Sequence, residues 1–96
     1  MDDDIIGRVV ISKAGRDMRR SFVVVGIADE GHLLIADGQT HRLDRPKKKK
    51  LKHLRFENSR LDVCDKLGGE TGVTDAFIRK GLLNLGYNHD SEIEEG

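Results

Sequence analysis

Short apolar blocks rich in β-branched residues recur along the first 43 residues, separated by polar or glycine-containing segments. Residues 9–11 and 22–25 predict two strands, because β-branched side chains favour an extended, pleated backbone. Residues 33–36 predict a third strand, and the tight-hairpin dipeptide Asp37-Gly38 predicts that residues 40–43 return as a fourth. The block at 22–25 has no polar interruption, so we expect its strand to be the most buried.

A fifth strand is predicted beyond the single proline. Pro46 cannot donate a backbone hydrogen bond, so it fits a sheet edge or a break before the lysine run. Leu51, Leu54 and Phe56 then supply apolar side chains for a strand that closes the sheet. Because closure removes exposed edges, we predict a mainly β fold with C-terminal helices: an SH3-like small β-barrel of about five strands and two short helices.

The spacing of apolar residues becomes helical after Ser59. A first short helix is predicted from a stripe that ends at two glycines: Leu61, Val63, Cys64 and Leu67. A second is predicted from Thr74 or Asp75, which both cap helix N-termini well, to a stop at Gly86. Gly81 is a weak helix former inside it.

These patterns divide the chain into three parts. Residues 1–58 form the predicted barrel, and residues 59–87 form the helical extension. Residues 88–96 are polar and acidic, a composition that favours a flexible tail.

The net charge of the chain is zero, but the charges are unevenly distributed. Residues 1–60 hold 14 basic and nine acidic side chains, whereas residues 61–96 hold three basic and eight acidic ones. Residues 42–60 alone hold nine basic and two acidic side chains. This density favours a polyanionic partner. We therefore consider that the acidic third packs on the barrel, contacts another protein or screens the basic face.

Residues typical of catalysis or metal binding are missing from the sequence pattern. Cys64 is the only cysteine, which excludes an intrachain disulfide and a multi-cysteine zinc site. The four histidines lack metal-ligand spacing, and no nucleophile–base pair, carboxylate pair or phosphate-binding loop is evident. We expect a non-enzymatic protein without metal or cofactor.

The start of the sequence, MDDDIIG, lacks the basic and apolar regions of a secretion signal. The longest apolar run is far shorter than the roughly 18 residues of a membrane span. We expect a cytoplasmic, soluble monomer with no membrane partner.

Four segments carry a family resemblance. GRVVISKAGRD and SFVVVGIADEGHLLIADG match two strands flanking a loop with a key glycine, here Gly15. With PKKKKLKHL and VTDAFIRKGLLN, they resemble KOW-motif RNA-binding proteins and, more narrowly, small bacterial relatives of the L14e/L6e/L27e-like large-subunit ribosomal protein family. The resemblance spans residues 5–85. It implies an SH3-like barrel that binds RNA, above all ribosomal RNA, without catalysis, and it makes a ribosomal protein one candidate contact of the acidic third.

The candidate binding residues combine the basic run with the KAGRD loop. Alternate residues of a strand face opposite sides, so about half of the lysine run would contact phosphates. Arginines suit bidentate phosphate or guanine contacts, and a small loop backbone admits a ribose-phosphate. The predicted RNA-binding residues are Lys13, Gly15, Arg16, Arg42, Arg45, Lys47, Lys48, Lys49, Lys50, Lys52, His53 and Arg55.

Other readings of these residues remain open from the sequence. The lysine run could be a solvated surface, Gly15 could merely supply a turn, and the arginines at 42 and 45 could pair with Asp44 or Asp37. The alternative function is a protein-interaction adaptor, which would need an exposed aromatic groove. Because only Phe56 and Tyr87 are candidate stacking residues, we expect recognition of a folded RNA's backbone shape rather than of splayed bases.

Overall fold

The computed structural model describes residues 5–61 and 74–88 of the 96-residue chain. The elements are β1 (Arg8–Ser12), β2 (Ser21–Asp29), β3 (His32–Ala36), β4 (Lys47–Lys50), a 3₁₀ turn (Leu51–His53), β5 (Leu54–Arg60) and α1 (Asp75–Asn84). The strands form one five-stranded sheet in the order β4-β3-β2-β1-β5, and all neighbours are antiparallel. The prediction of a mainly β fold followed by C-terminal helical structure is confirmed, with the one helix α1 among the described residues.

The 3₁₀ turn connects the two outermost strands of the sheet, β4 and β5. A connection of three residues spans this distance only if the sheet curves so that its edges approach each other. Within the described residues no ladder joins β4 to β5, so closure of a barrel is not confirmed.

The predicted fourth strand at residues 40–43 is wrong. Those residues lie in the β3–β4 loop, residues 37–46, and the lysine run that follows Pro46 is itself β4. The Asp37 carboxylate accepts hydrogen bonds from the backbone N–H groups of Gln39 and His41, both at 2.9 Å, and so folds the loop back on itself. This arrangement replaces the two-residue hairpin that the Asp-Gly dipeptide predicted.

The core has two parts, one on each face of the sheet. The first consists of Val10, Phe22, Val24, Leu33, Ile35 and Leu54. The second consists of Val9, Val23, Ile78 and Leu82, and joins the sheet to α1. Strands β1 and β2 therefore bury both of their faces, which explains the uninterrupted apolar block in β2. Residues 21–24 are all buried, in agreement with the prediction for this strand.

Helix α1 begins and ends where the sequence predicts. The Thr74 hydroxyl caps the helix by accepting a hydrogen bond from the Phe77 N–H at 3.1 Å. Gly86, at φ +96°, ends it with a pair of backbone bonds in which Gly86 N–H donates to Leu83 and Tyr87 N–H to Leu82.

Gly81 lies inside the helix for a packing reason. A Cβ at this position would lie 2.7 Å from a methyl group of Leu61, so the glycine lets the end of β5 pack against the helix. Of the first predicted helix only Leu61 is described, and of the predicted tail only Asn88; the other residues of both, Cys64 among them, lie outside the described residues.

Candidate nucleic-acid interface

The β1–β2 loop, residues 13–20, is built around the Asp17 carboxylate. The Ser12 hydroxyl donates to Asp17 Oδ1 at 2.8 Å, and Lys49 Nζ donates to the same oxygen at 2.9 Å. Lys49 Nζ also donates to the Ala14 carbonyl at 2.9 Å. Burial raises the pKa of Asp17, but the hydrogen bonds from Lys49 and Ser12 and the charges of Lys49 and Lys47 outweigh it, so the pKa lies below its ordinary value.

Lys49 has a structural role in this arrangement. Its side chain is only 10% exposed, because β4 directs it beneath the loop toward Asp17. Its neighbours Lys48 and Lys50 point away and are exposed, while Lys47 is partly buried. The lysine run therefore divides as strand alternation predicts, and the Lys49 ammonium group is committed to the protein rather than to a ligand.

The 3₁₀ turn brings a second basic segment against the loop. Lys13 N–H donates to the His53 carbonyl at 2.8 Å, which fixes the start of the loop beside the turn. The pKa of His53 is lowered by desolvation and then by the positive charges of Lys50, Lys52, Lys49 and Lys13. Two segments that are far apart in the sequence thus share one electrostatic environment.

Arg55 extends this surface along β5, where it lies opposite Ile11 of β1. Together with Lys13, Met18 and Arg19, these two residues and Ser12 line a cavity of about 300 Å³. We call the basic residues of this region the loop–turn surface: Lys13, Arg16, Arg19, Lys50, Lys52, His53 and Arg55. Gly15, at φ +87°, lies at the exposed tip of the loop.

Arg42 and Arg45 lie in a different place, on the β3–β4 loop. Arg42 pairs with Asp75 at the start of α1, with 3.3 Å between Nε and Oδ2. Leu43 N–H donates to the other oxygen of Asp75 at 2.7 Å. Among the described residues, no hydrogen bond or ion pair links Arg42 or Arg45 to the loop–turn surface, so the structure does not join the two arginines to it.

Asp37 organises the β3–β4 loop and is fully buried. Burial raises its pKa, but hydrogen bonds from the His41 N–H, the Thr40 hydroxyl and the Gln39 N–H lower it, and so does Arg20, whose Nε lies 3.0 Å from Oδ2. The pKa of Asp37 therefore lies below its ordinary value. The partner of Asp37 is Arg20, not Arg42 or Arg45.

Lys48 lies near acidic residues of the β2–β3 hairpin. Its Nζ is 3.7 Å from Asp29 Oδ2, and His32 Nδ1 is 2.8 Å from Asp29 Oδ1. All three side chains are partly exposed to solvent, where such ion pairs contribute little to stability. Lys48 thus has a local acidic neighbour that Lys50 and Lys52 lack among the described residues.

The aromatic side chains provide no open stacking surface within the described residues. Phe22 is buried in the core, and Phe56 packs against it with the Arg8 guanidinium 5.6 Å from its ring. Phe77 and Tyr87 pack against the second part of the core. The groove that an aromatic-binding adaptor needs is not formed by these residues.

Met18 and Arg19 line the cavity beside Lys13 and Arg55, and the sequence did not point to either of them. Met18 is 52% exposed, although it is a large apolar side chain. Arg19 has φ +75°, a conformation that is uncommon for residues other than glycine. The run MRR is visible in the sequence, but its place beside Arg55 depends on the pairing of β1 with β5.

No three histidine, cysteine, aspartate or glutamate side chains come close enough to hold a metal ion in the part of the chain that the structure describes. That part also contains no helix long and apolar enough to cross a bilayer. No protein-family model matches the chain.

Proposed function

We propose that this chain binds structured RNA through the loop–turn surface, and that ribosomal RNA of the large subunit is its target. The observation that carries the proposal is the convergence of the β1–β2 loop with the 3₁₀ turn. Lys13 N–H donates to the His53 carbonyl at 2.8 Å, and the pKa of His53 is lowered by desolvation and by the nearby charges of Lys50, Lys52 and Lys13.

The charges of this surface are available to a ligand. Among the described residues, the side chains of Lys13, Arg16, Lys50 and Lys52 form no ion pair. Asp17, the acid of this loop, already accepts from Ser12 and Lys49 through Oδ1, while its Oδ2 is buried and has no hydrogen-bond partner among the described residues. A phosphate backbone would therefore meet cations that need not first leave a protein partner, and its counterion release would make binding salt-dependent.

The choice of RNA and of a closed barrel rests on the resemblance to KOW proteins as well as on the surface. The glycine loop of that resemblance is the β1–β2 loop. We extend the proposal to an SH3-like barrel because a turn of three residues connects the two edge strands.

The direct test is binding of a hairpin RNA with a continuous stem, measured over a salt series. The test variant carries Lys50→Gln and Lys52→Gln, and the matched control carries Arg79→Gln and Lys80→Gln in α1. Lys49 is left unchanged, since its loss would disturb the loop itself. We expect the test variant to weaken binding at least about tenfold and to reduce the salt slope by roughly two, with little effect of the control.

Co-sedimentation with ribosomal subunits tests the target. Association of the wild type with the large subunit, reduced in the Lys50/Lys52 variant, is the expected result. Equal loss of hairpin binding in both charge-matched variants would indicate non-specific attraction and overturn the proposed interface. Absence from every ribosomal fraction, with hairpin binding intact, would remove ribosomal RNA as the target.

A further inference from the structure

The cavity beside the β1–β2 loop combines apolar and cationic walls. Ile11 and Met18 provide its apolar part, and Lys13, Arg19 and Arg55 provide three cations. Its volume of about 300 Å³ is at the lower end of the range for small-molecule sites, which suits one nucleotide. A uniformly charged surface for phosphates alone would not need the exposed Met18 side chain.

Among the described residues, Glu57 pairs with one of these three cations and leaves most of their hydrogen-bond donors unoccupied. Arg55 Nε pairs with Glu57 Oε2 at 2.9 Å, and no described residue accepts from the terminal nitrogens of Arg55. No ion pair with a described residue engages Lys13 or Arg19. Glu57 is the one described carboxylate that pairs with a cation of this cavity, and Asp17 of the same loop pairs with Lys49 instead, so the remaining positive charge favours an anionic occupant.

The loop is held in shape before any ligand arrives. Met18 N–H donates to the Gly15 carbonyl, Arg19 N–H to Ser12, and Arg20 N–H to Asp17. These bonds hold Arg19 at φ +75°, a conformation that costs a residue with a Cβ about 1–2 kcal/mol relative to glycine. Arginine at this position is unfavourable for folding, so its side chain has a use that glycine would not serve.

We propose that this cavity receives a single unpaired nucleotide of the bound RNA. The base packs on Met18 and Ile11 and against the guanidinium plane of the second arginine, Arg55. Its phosphate contacts Lys13 and Arg19. Arginine planes and a methionine thus take the place of the aromatic platforms that the chain lacks. The inference rests on the proposed function and adds a preference for RNA with a bulged or looped nucleotide, which departs from the sequence-based expectation of recognition by backbone shape alone.

The test compares two RNAs that differ in one nucleotide: the continuous hairpin and the same hairpin with one bulged nucleotide in its stem. We expect the wild type to bind the bulged hairpin about tenfold more tightly, the effect of stacking one base. The Met18→Ser variant should lose this preference, whereas Ile27→Ser, a control at another exposed apolar residue, should keep it. In methyl NMR spectra, the Met18 methyl signal should move upfield only with the bulged RNA.

The Arg19→Gly variant guards against a loss of folding as the explanation. Because glycine suits the positive φ, this variant should be at least as stable as the wild type while losing most of the preference for the bulged hairpin. Equal wild-type affinity for both hairpins, or an unchanged preference in Met18→Ser, would overturn the cavity assignment and leave the proposed function standing. If neither hairpin binds, both proposals fail.

Discussion

Asp17 in the β1–β2 loop and Asp37 in the β3–β4 loop occupy comparable positions in the fold. Each accepts hydrogen bonds from a hydroxyl group of its own region and from one cation, Lys49 for Asp17 and Arg20 for Asp37. Each therefore has a pKa below its ordinary value, although burial acts in the opposite direction.

The two loops differ in what they do with their remaining cations. The β3–β4 loop docks on α1, where Arg42 pairs with Asp75 and Gly38 packs against the backbone of the helix. The β1–β2 loop leaves Lys13 and Arg16 exposed and without an ion pair among the described residues. Asp17 takes its one cation, Lys49, from β4 and leaves Lys13 and Arg16 free of ion pairs with described residues, whereas Asp75 of the helix engages Arg42.

The strongest test of the docked loop is removal of its central carboxylate. Asp37→Ala should lower the free energy of unfolding by about 3–5 kcal/mol, because it leaves Arg20 and several loop donors without their acceptor. Urea denaturation measures the change, with Asp44→Ala, an exposed acid of the same loop, expected to cost less than about 0.5 kcal/mol. A loss under about 1 kcal/mol would show that water replaces the carboxylate.

The glycines of the two loops should differ in sensitivity. Gly38 has φ +77° and a Cβ there would lie 2.2 Å from the Asp75 carbonyl oxygen, so Gly38→Ala should cost about 3 kcal/mol or more. Gly15→Ala should cost about 1–2 kcal/mol, because its φ of +87° disfavours a Cβ, whose nearest atoms would be Lys49 Nζ at 3.3 Å and Asp17 Oδ1 at 3.6 Å. Denaturation of both variants checks the ranking, and equal costs would refute the distinction between docked and open loops.

Substitution of two adjacent lysines in β4 should have different effects, one on stability and the other on RNA binding. Lys49→Met should cost about 2 kcal/mol in unfolding free energy, because the buried Asp17 loses its charged donor. Lys50→Met should leave stability within about 0.5 kcal/mol and instead weaken binding of the continuous hairpin. Urea denaturation and RNA titration of both variants measure the two effects. A larger binding defect for Lys49→Met than for Lys50→Met, under conditions in which both variants are fully folded, would contradict this assignment.

The smallest expected effect concerns pH. His53 has a pKa below the ordinary 6.5 in the free protein, so its resistance to protonation lowers folding stability as the pH falls below that value. Bound phosphates would raise this pKa, so binding should take up a proton and tighten by about two- to threefold between pH 7.5 and pH 5.5. His53→Gln should flatten this part of the pH profile, and an identical profile in both proteins would exclude His53 from the interface.

Local sequence signals predicted the parts of the fold that they control directly. The apolar blocks located β1, β2 and β3, and the residue types at positions 74 and 86 located both ends of α1. Strand β4 was missed because lysine has a low strand propensity, and its backbone is held by pairing with β3. That pairing joins residues 12 to 18 positions apart, beyond the reach of local patterns.

The sequence indicated which segments form the candidate interface better than how their side chains are arranged. Charge density identified the lysine run, whereas the turn residues and the family resemblance identified the KAGRD loop. The structure brings the two segments together at Lys13 and His53. The burial of Lys49 depends on where β4 meets the β1–β2 loop, and the position of Arg42 depends on α1. Tertiary packing sets both, so composition and spacing do not reveal them.

The lysine composition of β4 also bears on self-association. β4 is the last strand on one side of the sheet, and among the described residues it pairs only with β3. A second copy that added its own β4 there would place Lys48 and Lys50 against like charges, which disfavours strand pairing. Lys50, which belongs to the loop–turn surface, thus acts with Lys48 against edge-to-edge aggregation of the free protein, and neutralising both lysines would expose a template for sheet growth.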